Sequence, residues 1–293
     1  MSKTVNQIDR AWEQLSEGYI NKVLSKSENT IQTLWRRLDE KEQRDTRIVR
    51  RLLSAYYIAA RAIALKMRNY ECLVAAAYLQ EMQDLACSLG DVDHQVIALV
   101  GKGELYARRN ELEEAQACLK KAAELSPADP VVQGYRAQLQ GRLYSYLKDE
   151  ERFRQAMQEA EQLAGGIIDL LGNRLHGQYH LGTVYLEYAR HYCRVGRIEE
   201  GLGACAKAEA SLSVIPLWRP YLLKMHGELL VKRDHIEKGI PLILEAIALA
   251  KKQDNHHLLD TFYALQRYLS ERAIKYANAN STISEAISGP FDF

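Results

Sequence analysis

Three stretches of this chain hold residue types that could do chemistry. In HGQYH, His176 and His180 stand four apart. On a helix that spacing puts both imidazoles on one face, and Asp169 precedes them on roughly the same face. Two ring nitrogens and a carboxylate make a three-ligand metal set. A zinc-protease helix, however, needs glutamate directly after its first histidine, and Gly177 stands there. In GKGEL, residues 101–105, glycines flank a lysine as in a phosphate loop. The stretch lacks the spacing and the hydroxyl residue of that loop, and no strand precedes it. His256 and His257 begin a helix after a turn, and adjacent side chains there diverge too far for one metal ion to take both. His191 and Cys193 also diverge. No Gly-x-Ser-x-Gly elbow occurs. The residues therefore predict no catalytic group, no metal site and no cofactor.

The elements that would position such residues read as helices throughout. Alanine, leucine, glutamate, lysine and arginine recur, and the 293 residues include only 17 glycines and 6 prolines. Apolar residues return every three or four positions, and alternating strand patterns are missing. Lys and Arg total 39 against 38 Asp and Glu, a balance that argues against a general nucleic-acid coat. The run WRRLDEKEQRDTRIVRR carries Arg36, Arg37, Arg47 and Arg50 among acidic residues. It reads as a salt-bridged face rather than a one-signed stripe for DNA. Five cysteines at irregular spacing (Cys72, Cys87, Cys118, Cys193 and Cys205) read as apolar fillers. No apolar run is long enough to span a membrane, and no signal peptide opens the chain, so a cytoplasmic location is expected.

Regular breaks in the helical pattern mark internal repetition. Gly103, Tyr106, Asn110, Ala115, Leu119, Ala122 and Pro127 set a layout. Ala189, Tyr192, Gly196, Gly201, Cys205 and Ala208 repeat it, as do Gly227, Leu230, Asp234, Gly239, Ile243 and Ala246. A degenerate copy carries Leu143, Leu147, Ala156 and Ala160. Small residues let two antiparallel helices approach, the larger ones fill the space beside them, and Asn110, Gly196 and Asp234 fall where the chain reverses. The apolar surface left on each pair can be covered only by the next.

This layout resembles the tetratricopeptide repeat, a helix–turn–helix unit. Its signature positions are held here by Leu99, Gly103, Tyr106, Ala115, Leu119, Ala122 and Pro127, with departures at Lys102 and His226, where leucine is usual. The resemblance covers about residues 45–277 and implies an all-α fold, a right-handed α-solenoid of helix hairpins. An N-terminal helical segment at 1–44 precedes it, with Trp12, Leu15, Tyr19 and Leu24 on one face and Ile31, Leu34, Trp35 and Leu38 on another. A capping helix rich in Phe262, Leu265, Tyr268 and Leu269 ends the array. The segment 278–293 reads as flexible, with Phe291 and Phe293 free to dock on a neighbour.

The resemblance also implies a concave groove lined by the first helix of each pair. Carried onto this sequence, its residues are Glu104 and Arg108, then Arg142 and Ser145, then Leu186, Arg190 and Arg194, then Tyr221, Lys224, Glu228 and Lys232. Glu104, Ser145, Arg190 and Glu228 stand where chaperone-type repeats carry asparagine, which argues against that kind of docking. The function expected is a non-enzymatic scaffold or adaptor that grips a protein or peptide segment, similar to repeat regions of bacterial regulators. The alternatives are a ligand-responsive regulator whose N-terminal helices are the output, and a homo-oligomer, such as a homodimer, burying the Trp12 and Trp35 faces.

Overall fold

The computed structural model describes residues 2–39, 46–67, 72–169, 171, 173 and 175–288, with side chains between residues 7 and 274. Among the described residues there are thirteen α-helices and no strand. In chain order they are α1 Ser2–Ser16, α2 Ile20–Asp39, α3 Thr46–Lys66, α4 Leu73–Leu89, α5 Val92–Arg108, α6 Leu112–Ala123 and α7 Pro130–Leu147. Then come α8 Glu150–Ala164, α9 Leu181–Val195, α10 Ile198–Leu212, α11 Arg219–Lys232, α12 Ile236–Lys252 and α13 His256–Ser288, with a short 3-10 turn at Pro216–Trp218.

Four helix pairs are closed by the same device. Asn110, Lys148, Gly196 and Asp234 all take left-handed φ, at 63°, 60°, 81° and 69°. The amide one residue further on then reaches back to a carbonyl in the last helical turn. Glu111 N–H donates to Tyr106, Asp149 to Tyr144, Arg197 to Tyr192 and His235 to Leu230, at 3.0, 3.0, 2.9 and 2.9 Å. This is the closure that satisfies the orphan carbonyls of a helix end. The first helices of two pairs start on side-chain caps, with Asp91 accepting from His94 N–H and Asp129 from Val131 N–H.

Small residues set the pair spacing. A Cβ on Gly103 would lie 3.3 Å from the Ala115 carbonyl oxygen, and one on Gly227 only 2.8 Å from that of Gly239. In α7, Gly141 holds the corresponding place against Met157 and Ala156. The degenerate copy read from Leu143 and Leu147 misses this glycine.

Each pair packs on the next through alternate helices: α5 on α7, α7 on α9, α9 on α11. The N-terminal helices are part of the same core rather than a separate unit. The expected boundary near residue 44 lies outside the described residues, but α2 packs along α3, and α1 touches α2, α3 and the Pro216–Trp218 turn. Trp12, Leu15, Ile31 and Leu34 are buried. Tyr19, expected on the same face as Trp12, is half exposed in the turn between α1 and α2.

The two ends of the array meet. Helix α13 packs on both α12 and α3. Asn21 Nδ2 donates to Asp254 at 2.8 Å, and Lys66 Nζ stands 3.9 Å from the same carboxylate. From residue 278 the backbone continues α13 as far as Ser288, where the small polar sequence predicts irregular chain. The segment has no glycine or proline before Gly289 and Pro290, so nothing in it breaks a helix. Phe291 and Phe293 lie outside the described residues.

Candidate functional site

Inside the array is a cavity of about 140 Å³. Its lining comes from every second helix: Arg61 of α3, Glu104 and Arg108 of α5, Tyr135, Arg142 and Tyr146 of α7, Glu187, Arg190 and Arg194 of α9, Tyr221 and Lys224 of α11, His257 and Leu258 of α13. Gln178 and Trp218 join from the connections before α9 and α11. Because α13 returns to α3, the first and last helices of this set are themselves in contact.

The cavity is organised by two buried carboxylates. Glu104, 5% exposed, accepts from Arg61 at 2.7 Å, Arg108 at 2.5 Å and Arg142 at 2.9 Å. Glu187, 4% exposed, accepts from Arg142 at 2.6 Å and Arg190 at 2.5 Å. Burial alone would raise the pKa of Glu104; the three guanidiniums outweigh it and hold the group well below the usual carboxylate range. Burial likewise opposes Arg142 and Arg190 at Glu187, and the arginines prevail there too. Arg61 also donates to Gln178 Oε1 at 2.9 Å, while its Nε is buried without a partner. His257 lies against this cluster. Burial, helped by Arg108, Arg190 and Arg142, holds its ring well below the usual imidazole range.

Of the residues the resemblance points to, Glu104, Arg108, Arg142, Arg190, Arg194, Tyr221 and Lys224 converge on the cavity. Four do not line it. Leu186 is packed in the core at 1% exposure, on the buried face of α9. Ser145 is 2% exposed and sits behind Arg194, accepting from its guanidinium. Glu228 is clamped between Lys224 at 2.8 Å and Lys232 at 3.2 Å. Burial would raise its pKa, but the two ammonium groups bring it down to about 2. Lys232 turns instead to the Cys193 carbonyl and thiol, at 3.3 and 3.2 Å.

Arg61, Gln178, Glu187 and His257 escape the sequence reading. Arg61 did leave a signal, as a single charge in the apolar run IAARAIAL; a buried charge there needs a partner. His257 reads as a solvated helix start. Only its neighbour His256 behaves so, half exposed with Nε2 3.0 Å from Asp254.

HGQYH is not helical. His176 takes φ 43° in a turn and stacks on Trp12 with ring centroids 4.4 Å apart. His180 caps α9, its Nδ1 accepting from Gly182 N–H at 3.1 Å. The two rings therefore do not share a helix face, and among the described residues no cluster suits a metal ion.

Ser145, His191 and Glu150 form a line, with Ser145 Oγ 2.8 Å from His191 Nδ1 and His191 Nε2 2.7 Å from Glu150. A nucleophilic serine would need this order of groups and an open path to substrate. Here the hydroxyl is buried and engaged by Arg194. The line serves to orient Arg194, whose guanidinium also lies 4.3 Å from the centre of the Tyr146 ring.

No protein-family model matches the chain, and no curated protein matches it significantly. Among the described residues no helix is long and apolar enough to cross a membrane.

Proposed function

We propose that this chain is a non-enzymatic binding scaffold, an α-solenoid of tetratricopeptide-like hairpins that grips an acidic segment of a protein or peptide partner. The observation that carries this reading is the convergence of Arg108, Arg142, Arg190, Arg194 and Lys224, from four different helices, on one cavity. Lone surface charges would be scattered; these are gathered, with Arg108, Arg142 and Arg190 held by the buried Glu104 and Glu187, Lys224 by Glu228 and Arg194 by the Ser145 hydroxyl. A random peptide display library selected on the full-length chain tests it. Acidic peptides are expected to be enriched, with binding lost in Arg190→Glu and Lys224→Glu. Selection of neutral peptides indifferent to both substitutions would remove the cavity from the binding surface.

A second reading, a ligand-responsive regulator, is favoured by the seating of α1. Trp12 stacks on His176 in the connection that carries Gly177 and Gln178. Trp218 Nε1 donates to the Gly177 carbonyl at 3.1 Å, and Gln178 holds Arg61. The N-terminal helix is thus two contacts from the cavity wall. Slower hydrogen exchange in α1 when a selected peptide is bound is the expected sign of that coupling; unchanged exchange there assigns α1 to packing alone.

A further inference from the structure

The charge around the cavity constrains its ligand beyond the acidic segment proposed above. Four arginines (Arg61, Arg108, Arg142 and Arg190) share two carboxylates, Glu104 and Glu187. Lys224 is balanced by Glu228. Arg194 is held by a neutral hydroxyl. About three positive charges are left over in a walled space, by the pairing above. One carboxylate would neutralise only one of these charges and, like Glu104 and Glu187, offers just two oxygens to the surrounding guanidiniums. A phosphate monoester carries nearly two charges at neutral pH and three terminal oxygens arranged to accept from several directions.

Donors for those oxygens are available. A guanidinium has five N–H groups. Arg190 Nη1 engages Glu187 and Arg194 Nη1 engages Ser145, while Arg61 Nε is buried with no acceptor.

Aromatic and apolar side chains complete the lining. Trp218 and Tyr221 stand 5.4 Å apart with their polar atoms already satisfied, the indole N–H by Gly177 and the phenol by Asn255. Both residues line the space together with Met225 and Leu258, and the Arg190 guanidinium lies 5.8 Å from the centre of the Tyr221 ring.

Resting on the reading of this cavity as the binding site, we infer that it takes a phosphate monoester carried on an apolar or aromatic body, with Arg190 and Arg194 on the phosphoryl oxygens and Trp218 and Tyr221 against the body. The phosphoryl group can come from a phosphorylated side chain of a partner or from a small phosphorylated metabolite.

Titration calorimetry on the full chain with phenyl phosphate, benzoate and inorganic phosphate tests the chemistry. Phenyl phosphate is expected to bind one-to-one, at least about ten-fold tighter than either control. Arg194→Gln is expected to weaken it by a similar factor without changing the melting temperature much, since Arg194 faces the cavity and pairs with no carboxylate. Arg190→Lys, which keeps the charge beside Glu187 but loses the guanidinium fork, serves if that variant misfolds. Benzoate binding as tightly as phenyl phosphate, or no heat from phenyl phosphate at millimolar concentration, overturns the inference. If acidic peptides bind while phenyl phosphate fails, this inference falls and the scaffold reading stands. If phenyl phosphate binds and no peptide does, the reverse holds. A short phosphotyrosine peptide separates the sources: tighter binding than phenyl phosphate points to a partner's side chain, weaker binding to a small metabolite.

Discussion

Glu104 illustrates how one side chain can organise a site from inside a helix. Its two oxygens hold guanidiniums from α3, α5 and α7. The position was legible in the sequence only because the repeat layout places it on the inner face of α5, and nothing in the local residues announces its partners. Arg61 lies far from it in the chain, and no spacing rule connects them. Replacing one member of a buried ionic cluster leaves the others charged and unpaired, a change that costs roughly 3–5 kcal/mol. Glu104→Gln is therefore expected to lower the unfolding free energy by an amount of that order, seen as a fall in the urea midpoint, while Glu228→Gln, whose carboxylate serves two lysines of α11, should cost less. Unfolding curves of the three proteins check this. Equal, small losses would mean that Glu104 is a surface-like pair and that the cavity is wetter than its burial indicates.

At the scale of the helix pair, the hairpins are the part of the fold that the sequence states most openly. Asn110, Gly196 and Asp234 read as reversal points, and each takes the left-handed conformation that a turn of this kind requires. Gly103 and Gly227 read as contact points, and in each the facing backbone leaves little room for a Cβ. The α7–α8 pair was harder, because Lys148 does the work of a turn glycine and Gly141 was hidden among unremarkable residues. HGQYH misled for a related reason: histidines four apart suit a helix, but the connection between α8 and α9 is anchored by tertiary contacts with Trp12 and Trp218, and local spacing does not register those. Two substitutions probe the shared geometry. Lys148→Gly relieves a non-glycine residue of φ 60° and is expected to stabilise the protein by up to about 1 kcal/mol. Gly227→Ala drives a Cβ toward the Gly239 carbonyl and Ile243 and should cost about 1–3 kcal/mol. Melting temperatures moving in opposite directions would support both; a destabilised Lys148→Gly would show that the lysine side chain, not its backbone, holds that turn.

At the scale of the whole molecule, the return of α13 to α3 is what no local pattern disclosed, since it depends on how all the intervening helices pack. The closure brings α13 to the cavity lining, while packing of the connection before α9 against Trp12 and the start of α9 buries two histidines that would otherwise titrate near neutrality. Burial lowers His180 from 6.5 to about 4, and it lowers His176 to about 4 against the opposing pull of the Leu171 carbonyl. For each, the unfolded chain takes up a proton between those two values while the folded chain does not. The unfolded state then binds more protons, so stability falls as the pH drops through this window, by about 1.4 kcal/mol per pH unit for each histidine at most. Above pH 6.5 neither contributes a slope. Below about pH 4 a second loss begins: Glu104, Glu187 and Glu228 have depressed values, so the stability they supply is complete above the ordinary carboxylate range and disappears as the pH falls toward their folded values. Calorimetric melting from pH 8 to pH 3 should accordingly show a plateau, a decline starting near pH 6.5 and a steeper one below 4. His180→Asn keeps a good helix cap and removes one titrating ring, so its decline between pH 6.5 and 4 should be shallower than that of the parent. A variant that tracks the parent across this interval would place the acid sensitivity elsewhere than in the connection joining α8 to α9.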